Sequence, residues 1–79
     1  MKRIKYELES WGEGKAFMNR MADEWGVLVE EIDGDLKLTR GDSQITCHFD
    51  ERQFAFILAK IDEKMENLVL AILKEFRSN

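Results

Sequence analysis

The stretch Asp50-Glu51-Arg52-Gln53-Phe54-Ala55-Phe56-Ile57-Leu58-Ala59-Lys60-Ile61-Asp62-Glu63-Lys64-Met65 decides how the fold is read. Asp50 is a good helix N-cap, and Gln53 stands where a capping box wants an amide or carboxylate. Phe49 before the cap and Phe54 after it suit a hydrophobic staple. From Phe54 the apolar residues Leu58, Ile61, Met65, Leu68 and Ile72 recur at alternating spacings of four and three. That repeat is the seam of a helix packed on another helix. Phe76 closes the stripe, and Ile57, Val69, Leu70 and Leu73 widen it. The reading is a single helix from Glu51 to Arg77.

Such a helix is roughly 40 Å long at the usual rise per residue. A globule of this chain length is only about 30 Å across. The last two turns therefore overhang the sheet, and residues 68–73 are apolar all round. Exposed, they would form an unusually large patch. One outcome is a partner seated on Met65, Leu68, Val69, Ile72, Leu73 and Phe76, most simply a second copy in a symmetric homodimer. The other is a bend near Asp62–Glu66 that folds the end back, although no Gly or Pro marks a kink there. Lys60 and Lys64 alternate with Asp62, Glu63 and Glu66. That mixture does not suit a helix lying on a membrane.

Upstream, the period is 2. Leu36, Leu38, Ile45, Cys47 and Phe49 alternate with polar residues on either side of Gly41-Asp42. A two-residue turn there pairs Leu38 with Ile45 and Leu36 with Cys47, so all four share one face. Lys37, Thr39, Gln44, Thr46 and His48 form the other. Asp33-Gly34 is a second hairpin signal, after a strand that starts at Val27 and runs to residue 32. Ile4, Tyr6 and Leu8 alternate with Arg3, Lys5, Glu7 and Glu9, which predicts a half-buried first strand. Trp11-Gly12-Glu13-Gly14 breaks it. From Lys15, Phe17, Met21 and Trp25 make one helical stripe, and Gly26 stops the helix. The sum is a single α+β domain over residues 1–79, of order β-α-β-β-β-α. Its mostly antiparallel four-stranded sheet carries two helices on one face. Strand order stays open.

The chain has 79 residues and a net charge of −4. Small domains often add a disulfide, a metal or a partner. Cys47 is the single cysteine, which rules out an intrachain bridge and points to a reducing, cytoplasmic compartment. No segment has the run of roughly 18 apolar residues that a membrane span needs. The start, Met1-Lys2-Arg3-Ile4-Lys5-Tyr6-Glu7, has no apolar core of a signal peptide. Charge is uneven: residues 1–20 are net positive, 21–51 strongly negative and 52–79 nearly balanced. The acidic middle would repel a phosphate backbone, so general nucleic-acid binding is not expected.

The candidate chemistry is thin. Gly12-Glu13-Gly14-Lys15 echoes a phosphate loop, but Ala16 stands where the Ser/Thr is needed and the loop is short. Cys47 and His48 are adjacent on a strand and point to opposite faces, so they cannot share a metal. The hairpin register sets Asp35 across from His48, an arrangement expected to be an exposed cross-strand pair. Glu30, Glu31, Asp33 and Asp35 concentrate negative charge at one hairpin without the spacing of a Ca²⁺ loop. Trp25 belongs to the core, while Trp11, beside two glycines, is expected to pack at the edge of the core, with contact to a partner as the alternative.

These observations predict a small non-enzymatic interaction or regulatory protein with no cofactor, homodimeric through its last helix. A second expectation is an acidic inhibitor that occupies a basic, nucleic-acid-binding surface through Glu30, Glu31, Asp33 and Asp35, by analogy with small phage-type antagonists. The third and weakest is a nucleic-acid binder using Lys2, Arg3, Lys5, Lys15 and Arg20.

Overall fold

The computed structural model describes residues 1–52 and 54–77. Along the chain run β1 (Lys2–Leu8), α1 (Trp11–Trp25), β2 (Glu30–Ile32), β3 (Asp35–Arg40), β4 (Ser43–Phe49), β5 (Ala55–Ile61) and α2 (Glu63–Arg77). The class is α+β, as the patterning implies. The sheet, however, has five strands, in the order β1-β5-β4-β3-β2, and every pairing is antiparallel.

The fifth strand corrects the single long helix. Residues 55–61 are extended and lie between β1 and β4. Ala55, Ile57, Ala59 and Ile61 are buried, and Phe56, Leu58 and Lys60 point the other way. A period of two rules this segment because the sheet supplies partners on both sides. Lys2 through Leu8 pair with Ile61 through Ala55, and Gln44 through Phe49 with Lys60 through Ala55. Asp50 caps no helix. Its Oδ1 accepts from the N–H groups of Arg52 and Phe54 at 3.0 Å each, and its own N–H donates to the Phe54 carbonyl. It thus organises the β4–β5 hairpin loop. Gln53, the expected capping partner, lies outside the described residues.

The real cap of the last helix is Asp62, whose Oδ1 accepts from the N–H of Met65 at 2.9 Å. Glu63 and Glu66 in the first turn suit the positive end of the helix dipole. With 15 residues, α2 is about 22 Å long and fits within the 31 × 30 × 21 Å body. The overhang therefore does not arise, and neither does a bend within the helix. The break at Asp62 is a change from strand to helix.

The first helix also begins earlier than its apolar stripe suggests. Ser10 is the N-cap: its Oγ accepts from the N–H of Glu13 at 3.1 Å, while Glu13 Oε2 accepts from the N–H of Glu9 at 3.0 Å. These two bonds, the second reaching back to the residue before the cap, hold Gly12 and Gly14 inside the first turn rather than in a loop. Gly14 is buried for a steric reason. A Cβ there would lie 2.7 Å from Cys47 Sγ and 2.8 Å from the Cβ of Ala55. Three small residues thus let the start of α1 settle onto β4 and β5. At the far end Gly26 takes φ 69° and closes the helix, as expected.

Both hairpins of the central sheet follow their turn chemistry. Asp33 (φ 53°) and Gly34 (φ 86°) form the I′-type link between β2 and β3. Gly41 (φ 59°) opens the two-residue turn that sets Leu38 opposite Ile45 and Leu36 opposite Cys47. Strand β2 is shorter than the patterning suggests: residues 27–29 lie outside it, with Val27 and Val29 half-buried and Leu28 exposed. Both helices pack on one face of the sheet. Helix α1 crosses β1, β5, β4 and β3, and α2 lies against α1 and β1. Between them Phe17, Met18, Met21, Leu38, Ile45, Ile57, Ile61, Val69 and Leu73 are fully enclosed.

Candidate functional site

Among the described residues, no helix covers the other face of the sheet. Alternation fixes what it presents. Arg3, Lys5 and Glu7 come from β1, and Lys60, Leu58 and Phe56 stand opposite them on β5. Gln44, Thr46 and His48 come next on β4, followed by Thr39 and Lys37 on β3. Lys37 in turn faces Glu30 on β2, and Ile32 faces Asp35. Water-facing sheets normally show polar side chains on such a surface. Here β5, one strand in from the edge, puts Phe56 and Leu58 there, and Leu58 is 45% exposed.

Around Leu58 the surface dips. A shallow depression of about 340 Å³ is lined by Arg3, Lys5, Gln44, Thr46, Leu58 and Lys60. Lys5 Nζ also lies 5.3 Å from the centre of the Phe56 ring, a cation–π distance that holds the ammonium beside the apolar floor. The depression therefore combines an apolar base, three cations and two neutral hydrogen-bonding side chains. Chemically it suits a ligand with both an apolar group and negative charge. The patterning alone did not single out this set, because the placement of β5 was needed to bring Leu58 and Lys60 next to Arg3 and Lys5.

The residues expected at a helix-borne interface sit elsewhere. Val69, Ile72 and Leu73 are buried inside the chain's own core, where α2 meets α1. Met65, Leu68 and Phe76 are half-buried and pack against that core, and the Phe76 ring meets Phe17 edge-on at 6.3 Å. The chain itself therefore covers most of the apolar stripe for which the patterning predicts a partner.

The acidic set is only partly convergent. Glu30, Glu31 and Asp33 are exposed along the outer edge strand and its turn. Asp35 instead turns to His48, with Oδ1 2.8 Å from Nδ1. Glu30 and Glu31 point to opposite sides of the sheet. Two exposed apolar residues flank them, Leu28 (87%) and Ile32 (47%). The basic set does not converge either. Arg3 and Lys5 lie on the open face. Lys2 bonds Glu66 on the helix side at 3.0 Å, and this carboxylate raises the lysine's pKa. Lys15 and Arg20 ride on α1, where Arg20 bridges Glu24 and Glu75.

Cys47 is buried in the core, apart from the surface His48. Burial, with the nearby charge of Asp35, pushes its thiol up to about 11. A thiol in that state is a packing group and a poor nucleophile. Trp11 is half-buried and packs against Phe49, ring centres 5.1 Å apart. Among the described residues, no group of three or more His, Cys, Asp or Glu side chains is placed to hold a metal ion. No described helix is long and apolar enough to cross a membrane. Compared with protein-family models, with curated proteins and with solved structures, the chain matches none.

Proposed function

We propose that this chain is a small non-enzymatic interaction protein whose working surface is the open sheet face around Leu58. The observation that carries the proposal is Leu58, exposed on the bare face and ringed by Arg3, Lys5 and Lys60, with half-buried Phe56 beside it between Glu7 and His48. An exposed leucine on the floor of a shallow depression suits the core of a protein contact, with the cations as its rim. The same cations select the partner by charge: an acidic protein segment that also carries apolar side chains. A nucleic acid would meet these cations too, but it would also meet Glu7, Asp35 and Glu30 on the same face and a net charge of −4.

The test is an NMR titration with two probes, a synthetic peptide of alternating glutamate and leucine and a single-stranded DNA oligonucleotide. The expected result is that the peptide shifts the amides around Arg3, Lys5, Gln44, Thr46, Leu58 and Lys60. Leu58→Asp or Lys60→Glu should weaken its binding about tenfold or more. Shifts with the oligonucleotide alone would favour the nucleic-acid reading. Silence with both probes would remove this face as a binding surface.

A second reading rests on the opposite edge, where exposed Leu28 and Ile32 flank Glu30 and Glu31. This arrangement suits an acidic inhibitor that covers a basic surface of its target. Reversing the charge at Glu30 and Glu31 should then abolish capture of a basic partner while the fold survives. Capture that persists would reduce the acidic edge to a solvated turn.

A further inference from the structure

The two edges of the sheet are built differently. At one end β2 is three residues long, too short to template another strand. At the other, β1 runs for seven residues without a proline, and among the described residues β5 is its only partner in the sheet. Among the described residues, no strand pairs with its outer side. An edge of this kind presents a row of main-chain donors and acceptors to any strand that can match it.

The side chains of β1 say which strand would match. Arg3, Lys5 and Glu7 project on the open face, and the strand ends at Leu8, with a bend at Glu9. Two positive charges are thus followed by a negative one. Ile4, Tyr6 and Leu8 line the helix side. We infer that two copies of this chain pair through β1, antiparallel, about a two-fold axis at Tyr6. In that register Lys5 stands opposite the second copy's Glu7. Ile4 meets Leu8, and Tyr6 meets Tyr6. The charged pair within the strand is then opposite in sign, and the symmetry repeats it. Moving the axis to Lys5 sets lysine against lysine, and moving it to Glu7 sets glutamate against glutamate. Only the axis at Tyr6 makes β1 complementary to itself.

The result is one continuous ten-stranded sheet, a closed two-fold dimer of the commonest symmetry. The β2 edges end it on both sides and limit further growth. Pairing is coplanar, so both open faces remain uncovered and lie side by side. Arg3 and Lys5 lie on the open face beside the seam, and Lys60 and Lys37 lie farther in on each copy. The dimer does not rest on the binding role of Leu58, because it uses the main chain and side chains of β1 alone.

The test is the molar mass of the full chain by light scattering across a wide range of concentrations. The mass should climb from 9.3 kDa toward twice that value. Lys5→Glu and Glu7→Lys each set like charges face to face twice per dimer, and each should weaken self-association about tenfold or more. Mixing these two single variants restores opposite charges at both positions. A mixed dimer should therefore form where neither variant pairs alone, and the double variant Lys5→Glu/Glu7→Lys should again pair with itself. A wild-type chain that stays monomeric throughout would overturn the inference. So would a dimer indifferent to these substitutions, or two single variants that fail to rescue each other. Leu58→Asp should leave the mass unchanged, so failure of the dimer and failure of the binding face read out separately.

Discussion

The two faces of β5 carry the main contrast in this molecule. On one side Ala55, Ile57, Ala59 and Ile61 are sealed beneath the helices. On the other, Phe56 and Leu58 face outward with Lys60. Both faces are apolar, yet only the first is packed by the rest of the chain. Burial of an aliphatic side chain stabilises a fold by about 1.5–3 kcal/mol, so the first face is explained by stability. The second gains little from folding, which is why a partner accounts for it better than packing does.

The sealed side should be the more fragile, and its tightest point is Gly14. Added atoms there meet Cys47 and the backbone-anchored Ala55 at once. Gly14→Val should cost about 3 kcal/mol or more. Even Gly14→Ala should destabilise, because the clash outweighs the roughly 1 kcal/mol that alanine gains in a helix. Chemical denaturation measures both. Next comes a matched pair on β5 itself. Ile57→Ala removes a fully enclosed side chain and should cost about 2–4 kcal/mol, whereas Leu58→Ala should cost under about 1 kcal/mol. Equal losses would mean that the two faces are alike.

The core thiol sharpens the contrast by pH. Cys47 ionises at about 11 in the fold against an ordinary value of 9.0. As pH rises through this window the unfolded chain gives up its proton first, so the folded state binds more protons and stability falls. The loss should be on the order of 2 kcal/mol between pH 9 and pH 11 and absent below pH 9. Denaturation at several alkaline pH values checks it, and Cys47→Ala should remove this part of the slope. The smallest effect belongs to the exposed His48–Asp35 pair. Asp35→Asn should change stability by only a few tenths of a kcal/mol near neutral pH.

The hairpin of β3 and β4 was legible because three signals agree there: Gly41-Asp42, the apolar set Leu36, Leu38, Ile45 and Cys47, and a wholly polar opposite face. The structure reproduces its register residue for residue. β5 was not legible, and for a reason tied to the candidate site. A strand declares itself by polar residues at every second position. Here Phe56 and Leu58 occupy those positions, while Ala55 and Ala59 weaken the buried set. Phe54, Leu58 and Ile61 then run on into Met65 and imitate a helical seam. The apolar outer face that points to a partner is thus the same feature that hid the strand. Asp62 was the missed boundary, one position past the alternating run and three before Met65. Similarly, Ser10 and Glu13 carried a capping box that the neighbouring glycines obscured. The cluster of Arg3, Lys5, Leu58 and Lys60 could not be read in advance, since it depends on β5 entering between β1 and β4.

The most direct test places one aspartate on each side of β5 and measures both fold and binding. Ile57→Asp buries a charge beneath the helices and should abolish cooperative unfolding. Leu58→Asp should keep the wild-type denaturation midpoint to within about 1 kcal/mol, yet lose the glutamate–leucine peptide. If Leu58→Asp unfolds the chain as Ile57→Asp does, the outer face is core and the contrast fails. If it folds and still binds the peptide, this face is not the working surface.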